Sequence, residues 1–578
     1  MIFSWKDLTK SILTFKKELF TANILALAAA LLSVPVPLLL PLLVDELILD
    51  QSGLILPTIN QLFAITEQSP FFYIALVTLF CLLLRLAALL CNILQTKQFT
   101  LISKHIVFTI RSLLLSRLQH ISVKAFESLG SGKVANHFTI DIQTIDAFIY
   151  DTLRKFILGF ITTISVLVVL AFMHVYLVLF LLVLNPAVIF FTRQLSKKIK
   201  QLKRRENKAF EVFQLSLIET LDAMHQIRIS NRSTYFFNKL NDQSQAIRQE
   251  AGIYAWRSDV ANRFSSFLFM IGFDLFRAGG LLLVLASDMT IGQMFAAFSY
   301  LWILMGSMQE IFGIQYSYAS AKAALDRINT LASLEIQPVP KVINNPFFPG
   351  TQIGIRLQQV CFAYRKNIPV FHHFSLDIAP GEKLALVGSS GRGKSTLIQL
   401  LLGLYPVDRG QILYNGIPVT QIAATDLYQH VAVVLQQPAL LNDTIRHNLT
   451  LGQDINEQRL YEVLEQVQLT DLLKNQPDGL DTTTGVRGIR LSGGQKQRLA
   501  IARILLLQPA VVIMDEATSA LDVHTEKKLF AAIASFLADK TLIIAAHRES
   551  ALAITERRLN LDHMQRIHNP VHKSYPNP

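Results

Sequence analysis

An unbroken apolar stretch of about 20 residues satisfies its backbone most simply as a helix across a bilayer. The first half of this 578-residue chain carries six predominantly apolar runs of roughly that length, over residues 21–43, 70–94, 156–174, 176–191, 264–286 and 291–314. Pro35, Pro37 and Pro41 fall in the first run and would kink it, which a spanning helix tolerates better than a soluble one. Composition points the same way: 51% of the residues are apolar and only 17% are charged. Mean hydropathy is +0.38, on the side of membrane proteins.

Charge between the runs predicts their orientation. The loop over 45–69 and the turn over 287–290 contain no Lys or Arg. The loop over 97–155 carries Lys97, Lys104, Arg111, Arg117, Lys124, Lys133, Arg154 and Lys155. After the fourth run come Arg193, Lys197, Lys198, Lys200, Lys203, Arg204, Arg205 and Lys208. The positive-inside rule therefore puts both long loops, and both termini, in the cytoplasm. It also explains the net charge of +12 without nucleic acid. Both loops show apolar residues at three- and four-residue spacing, which predicts helices that extend the spans into the cytoplasm. Their segments 132–148 and 220–237 are placed to meet a cytoplasmic partner. The N-terminus is charged before its first long apolar run and does not resemble a cleavable signal peptide. Cys81, Cys91 and Cys361 lack metal-ligand spacing and imply no disulfide framework.

A Pro- and Asn-rich stretch without periodicity, 334–351, marks a linker. Beyond it short apolar runs alternate with helical patterns, which predicts an α/β domain with a largely parallel sheet. Gly388-Ser389-Ser390-Gly391-Arg392-Gly393-Lys394-Ser395 matches the phosphate-loop pattern G-x-x-x-x-G-K-[ST] at every fixed position. The run before it (EKLALV) reads as a buried strand and the run from Thr396 (TLIQLLLGL) as a helix. Glycines let backbone N–H groups turn toward phosphates, and the helix N-terminus adds partial positive charge. Lys394 would reach the β- and γ-phosphate oxygens and the Ser395 hydroxyl would ligate Mg²⁺.

The run AVVIM is a second buried strand and ends in Asp515-Glu516. A carboxylate at that strand end can hold Mg²⁺ through water, and the next can polarise an attacking water. Leu491-Ser492-Gly493-Gly494-Gln495 precedes a helix and offers another N-terminal anion site, although such a sequence is most often simply a cap.

With these motifs in this order, the second half closely resembles the nucleotide-binding domain of ABC ATPases, with LSGGQ as the signature motif. The whole chain resembles an ABC exporter half-transporter. That implies an all-α six-helix transmembrane domain (1–333), a linker (334–351) and an α/β P-loop ATPase domain of ABC type (352–578). Residues 321–331 (AKAALDRINTL) resemble the family's lead-in from the sixth helix to the ATPase.

The resemblance assigns further roles. Tyr364 in FAYRKN would stack on adenine, with a plain core or strand tyrosine as the alternative. Gln436 in VVLQQP, rather than Gln437, would touch Mg²⁺ and water. Glu516 would be the catalytic base, Asp522 in SALD the inter-subunit loop aspartate, and His547 in IIAAHR the γ-phosphate switch. ATP and Mg²⁺ are the implied cofactors. A second copy is the implied partner, because the family's LSGGQ caps ATP held by the opposite subunit; a heterodimer is the alternative.

Three positions depart from the family pattern. Val486 stands where exporters of this type usually carry a glutamate. Arg392 sits at a variable position of the phosphate loop and would add a phosphate contact. The end reads DHM (Asp562-His563-Met564) where the family usually turns on glycine.

The implied function is ATP-driven export of a hydrophobic or amphipathic compound across the cytoplasmic membrane. An ATP-gated channel or sensor is the alternative, and a soluble DNA-acting ATPase is excluded by the six spans. The transported substrate stays open. Ionisable residues inside the spans are the pointers to it: Arg85 in the second, Asp274 and Arg277 in the fifth. Asp274 and Arg277 share a helix face and partly neutralise each other. The surplus positive charge is expected to face a water-filled cavity and attract an anionic group, since Arg does not deprotonate.

Overall fold

The computed structural model describes residues 4–49, 55–63, 69–287, 289–337, 344–348, 350–365, 368–474, 476–485, 488–546 and 548–564. The chain divides into two compact units, the first being Met1–Leu115 with Val134–Ser333, the second Ser116–Lys133 with Leu334–Pro578.

Helices in chain order to the end of the first unit are α1 (Trp5–Thr14), α2 (Lys16–Ser33), α3 (Val36–Leu47), α4 (Ile55–Phe63), α5 (Pro70–Leu118), α6 (Val123–Leu129), α7 (Ser131–Asn136), α8 (Ile142–Ala147), α9 (Arg154–Met173), α10 (Val175–Asp222), α11 (Met224–Ile229), α12 (Ser233–Ala286) and α13 (Ile291–Ala332). All six apolar runs lie on them. Lys16–Leu47, Pro70–Leu118, Ser131–Met173 and Ser233–Ala286 are each long and apolar enough to cross a membrane, and Ile291–Ser307 is a shorter apolar helix. The kink in the first run falls between α2 and α3, where Pro35 caps α3 and Pro41 sits inside it.

Lipid offers helices no hydrophobic reward for associating, so close backbone approach has to hold them together. Accordingly α2 packs beside α9, and the residues it buries are Ala22, Ala26, Ala29 and Ala30. Gly292 opens α13 against α3: a Cβ there would stand 2.2 Å from the Pro41 carbonyl oxygen, and its N–H donates to Asp45 Oδ1 at 2.8 Å. Two π-helical turns, His137–Asp141 and Phe148–Leu153, interrupt the third span's lead-in. There the buried Asp141 accepts from Arg327 Nη2 (2.6 Å) and Nε (2.9 Å) on α13, and from His137 Nδ1 (2.7 Å).

The second unit contains β1 (Ile355–Phe362), β2 (Phe371–Ile378), β3 (Lys383–Val387), α14 (Lys394–Leu401), β4 (Arg409–Tyr414), β5 (Ile417–Pro418), α15 (Ala424–His430), β6 (Val431–Val434), α16 (Ile445–Thr450), α17 (Glu457–Gln466), α18 (Thr470–Lys474), α19 (Gly493–Leu507), β7 (Val511–Asp515), α20 (Val523–Leu537), β8 (Thr541–Ala545), α21 (Glu549–Leu552), β9 (Arg557–Asn560) and α22 (Leu561–Met564). Five strands form a parallel sheet in the order β6-β7-β8-β3-β9. The sequence expectation of one largely parallel sheet omitted a second sheet, antiparallel, in the order β2-β1-β4-β5. Burial tells the two apart: β7 and β8 are buried at every position, whereas β2 alternates. One apolar core fills the space between the sheets and a second lies under α16 to α20.

Ser116–Lys133 departs from the domain boundaries read in the sequence, because it packs with the second unit. Ile121 bridges Ile336, Ser122 N–H donates to the Glu335 carbonyl (2.9 Å), and Val123 packs on the core between the sheets.

Candidate functional site

The phosphate loop leaves β3 and enters α14, as its strand and helix signals require. Gly388, Gly391 and Gly393 take φ values of 153°, 81° and 96°, which L side chains rarely adopt. Lys394 is buried and its Nζ donates back to the Gly388 carbonyl at 2.6 Å, so the ammonium already lies inside the loop. Ser389 and Arg392 turn to the end of the chain. Asp562 accepts from Ser389 N (3.0 Å) and Oγ (2.7 Å), and Arg392 Nε lies 3.0 Å from Asp562 Oδ1. Those hydrogen bonds, Ser389 foremost, hold the Asp562 carboxyl below its ordinary value. Ser390 and Gly391 form the exposed crest of the loop.

β7 delivers the two acids. Burial pushes the Asp515 carboxyl above its ordinary value, against a hydrogen bond from Ser395 and the nearby Lys394, while Glu516 adds to the push. A hydroxyl and a buried carboxylate thus meet at the start of α14, a hard-oxygen pair of the kind Mg²⁺ takes. Glu516 sits at φ +48°, its N–H bound to the Ala545 carbonyl at 2.9 Å on β8. Its Oε2 accepts from Gln436 Nε2 at 2.6 Å, across from the loop after β6.

Tyr364 is 46% exposed. Its hydroxyl donates to Gln399 Oε1 (2.6 Å), with Thr396 Oγ1 at 3.3 Å, which ties it to α14. Its ring meets Tyr405 edge-on at 5.4 Å and 84°. The Tyr405 hydroxyl in turn donates to Glu127 on α6, and burial together with that carboxylate raises the phenol above its ordinary range.

Ser492 and Gln495 form a capping box on α19: Gln495 N donates to Ser492 Oγ (3.2 Å) and Ser492 N to Gln495 Oε1 (2.8 Å). Among the described residues no hydrogen bond joins Ser492, Gly493, Gly494 or Gln495 to the phosphate loop. Gly494 instead approaches Leu521, where an added Cβ would lie 2.9 Å from Cδ2. Asp522 caps α20 through the N–H groups of His524 (3.1 Å) and Thr525 (2.9 Å), and hydrogen bonding from Thr525 lowers its carboxyl to about 2. His547 and Val486 lie outside the described residues.

One member of the site was not read from sequence. Gln497 is buried, and its Nε2 donates to the Gln436 carbonyl (3.2 Å), the Glu516 carbonyl (3.4 Å) and Ser519 Oγ (3.0 Å). Its Oε1 accepts from Ala520 N at 3.0 Å. One amide therefore knots the Gln436 loop, Glu516 and the 519–522 loop together. The signal available was a polar residue on the buried stripe of α19, one turn before Ile501. Arg548 braces the same 519–522 loop from beyond β8, donating to the Ser519 carbonyl at 2.8 Å.

The family model described as ABC transporter matches residues 371–519, and that described as ABC transporter transmembrane region matches residues 19–308. A putative export ATP-binding/permease protein of Rickettsia typhi is 31% identical over 476 residues, 80% of each chain. A putative multidrug export ATP-binding/permease protein of Bacillus subtilis is 27% identical over 94% of this chain and 92% of its own length. An ATP-dependent lipid A-core flippase of Nitrosococcus oceani is 26% identical over 82% of this chain and 79% of its own. Among solved structures, a bacterial Atm1-family ABC exporter with ATP bound shares the fold, with TM-score 0.77 at 23% identity over 95% of this chain and 93% of that one.

Proposed function

Because the chain belongs to the ABC transporter family, with transmembrane region and ATPase domain in one polypeptide, it is a membrane-embedded, ATP-hydrolysing transporter of the exporter class, and we propose that it moves a hydrophobic or amphipathic compound out across the cytoplasmic membrane by alternating access. Relatives named for lipid A-core flipping and for multidrug export support that range of substrate. The charge of the long loops supports cytoplasmic termini.

The observation that carries the reading is the linked set Lys394, Ser395, Asp515, Glu516 and Gln436 at the mouth of the phosphate loop. In this reading Gly388 to Thr396 cradle the phosphates and Lys394 gives up its loop carbonyl for the β- and γ-oxygens. Ser395, Asp515 and Gln436 would hold Mg²⁺, which when bound would neutralise phosphate charge. Tyr364 supports the adenine. Glu516 orients and deprotonates the attacking water, held in place by Gln436 and Gln497. His547 contacts the γ-phosphate.

The working unit is a C2 homodimer in which Ser492 to Gln495 and Asp522 of one subunit close over the ATP of the other. Two features support it. Among the described residues, the signature residues have no hydrogen bond to their own phosphate loop. At the tip of the second long loop, Ile229 is 82% and Tyr235 62% exposed, an apolar end that a second copy would cover.

Reconstitution of the chain, expressed by itself, into vesicles tests the proposal. ATP-dependent accumulation of a lipid or drug probe, with matching stimulation of hydrolysis, supports the pump. ATP-gated conductance without accumulation overturns it, and a monomeric, ATPase-dead product replaces the homodimer with a heterodimer.

A further inference from the structure

The fifth span carries no charge from 264 to 286 except Asp274 and Arg277, which lie near its middle. Charges at that depth are costly against lipid, so they pair or face the bundle interior or a water-filled cavity. Their mutual pairing does not use them up. Arg277 Nη1 stands 3.8 Å from Asp274 Oδ1, beyond hydrogen-bond length, and the side chains are 54% and 73% exposed. Among the described residues neither has another ion-pair partner, and no carboxylate lies within 4.0 Å of Arg85. Both groups of the pair therefore keep free hydrogen-bonding capacity on one helix face.

Arg277 is also held in a defined place. Its guanidinium lies 5.9 Å from the Phe273 ring and 5.8 Å from the Phe298 ring, the latter on α13. Gly280 permits this packing, because a Cβ there would already touch Phe298 Cε1 at 3.4 Å. From that seat an aromatic stripe runs along α12 and α13: Phe273 meets Trp302 at 5.8 Å, and Trp302 meets Phe269 at 5.9 Å. Trp302 is 56% exposed. A positive group, a negative group and an apolar strip thus lie side by side.

We propose that Asp274, Arg277 and the Phe269–Phe273–Trp302 stripe form a recognition site for a zwitterionic amphiphile. Its acidic group meets Arg277, its cationic group meets Asp274, and its apolar body lies along the rings. The proposal rests on the export reading and narrows its substrate class. To the anionic group expected opposite the surplus positive charge it adds a cationic one, because Asp274 and Arg277 stand together with both side chains exposed.

The experiment uses three probes with one shared alkyl tail and a phosphoethanolamine, a phosphate or a trimethylammonium head, added to vesicles containing the full protein. Wild type should move the zwitterion with the lowest half-saturating concentration. Arg277→Gln should raise that concentration for the zwitterion and the phosphate probe about tenfold, the scale of one lost charged contact, and spare the trimethylammonium probe. Asp274→Asn should spare the phosphate probe instead, and the exchanged pair D274R/R277D should restore preference for the zwitterion. Ratios between probes within one variant cancel differences in folding and yield. Should the variants insert poorly, wild type alone gives a second readout: a zwitterionic probe with a brominated tail should quench Trp302, with Trp302→Phe as the blank. A wild type that hydrolyses ATP but moves no probe overturns the export reading along with this one. Unchanged probe ratios in every variant, or no Trp302 quenching, overturn this inference alone; if dimer recovery falls with ratios unchanged, the pair is a subunit contact.

Discussion

Replacing Glu516 by Gln separates chemistry from structure at the candidate site. The substitution exchanges one carboxylate oxygen for an amide nitrogen and keeps side-chain length and volume. Backbone geometry at φ +48° is held by the N–H bond to Ala545 and is equally open to either residue. Gln436, now 2.6 Å from Oε2, can turn its amide and donate to the new carbonyl oxygen. Exchanging that charge-assisted bond for a neutral one costs about 1 kcal/mol. Losing a general base costs far more, a factor of at least ~100 in rate or about 2.7 kcal/mol in the barrier. The two costs differ enough to be told apart. Glu516→Gln should bind a fluorescent ATP analogue within about threefold of wild type, release phosphate at least ~100-fold more slowly, and accumulate as an ATP-closed dimer. Phosphate release and size-exclusion with ATP measure these on one preparation. Near-normal turnover refutes the base assignment; ATP affinity falling in step with turnover shows that Glu516 holds the site together instead.

Other parts of the molecule make separate predictions. The Asp515 carboxyl is raised by burial, so its contribution to stability is present at low pH and lost as pH rises through the folded-state value. Asp515→Asn should therefore raise the melting temperature of the nucleotide-free protein at neutral pH while abolishing Mg²⁺-dependent hydrolysis; a lower melting temperature counts against that electrostatic reading. Tyr405→Phe keeps the ring contact with Tyr364 but removes the hydroxyl bound to Glu127, so substrate stimulation of hydrolysis should weaken while ATP affinity holds. Glu127→Gln should do the same, and the double variant should be no worse than either single one, with additive losses disproving a shared contact. Gly410 takes φ +83° where an added Cβ would lie 2.3 Å from the Gln358 carbonyl oxygen, so Gly410→Ala should lower stability by about 2 kcal/mol or more, read as a drop in yield and melting temperature.

Much of the molecule was legible in the chain because its determinants are local. Six apolar runs of bilayer length become helices whatever else happens, since only a helix satisfies its backbone within a single segment in lipid. The phosphate loop is equally self-contained: Gly388, Gly391 and Gly393 supply conformations denied to other residues, between a strand and a helix that adjoin them. Asp515 and Glu516 were readable because β7 is an apolar run, Val511 to Met514, that ends on them. What only tertiary structure decided involves residues far apart in sequence. Nothing near Gln497 shows that one buried amide serves Gln436, Glu516, Ser519 and Ala520, because its partners lie on two segments distant in sequence, one after β6 and one after β7. The β1 and β2 strands gave no sign of sheet direction, which depends on who pairs with whom. Nor does the local pattern of α6, on a loop assigned by its neighbours to the membrane domain, reveal that it packs with the ATPase unit and binds Tyr405 through Glu127. The sequence spacing already placed Asp274 and Arg277 on one helix face, but only the structure shows them 3.8 Å apart with both side chains more than half exposed. Local preferences act over one turn or one strand, whereas burial, pairing and charge balance are settled by packing, and packing joins residues that the sequence keeps apart.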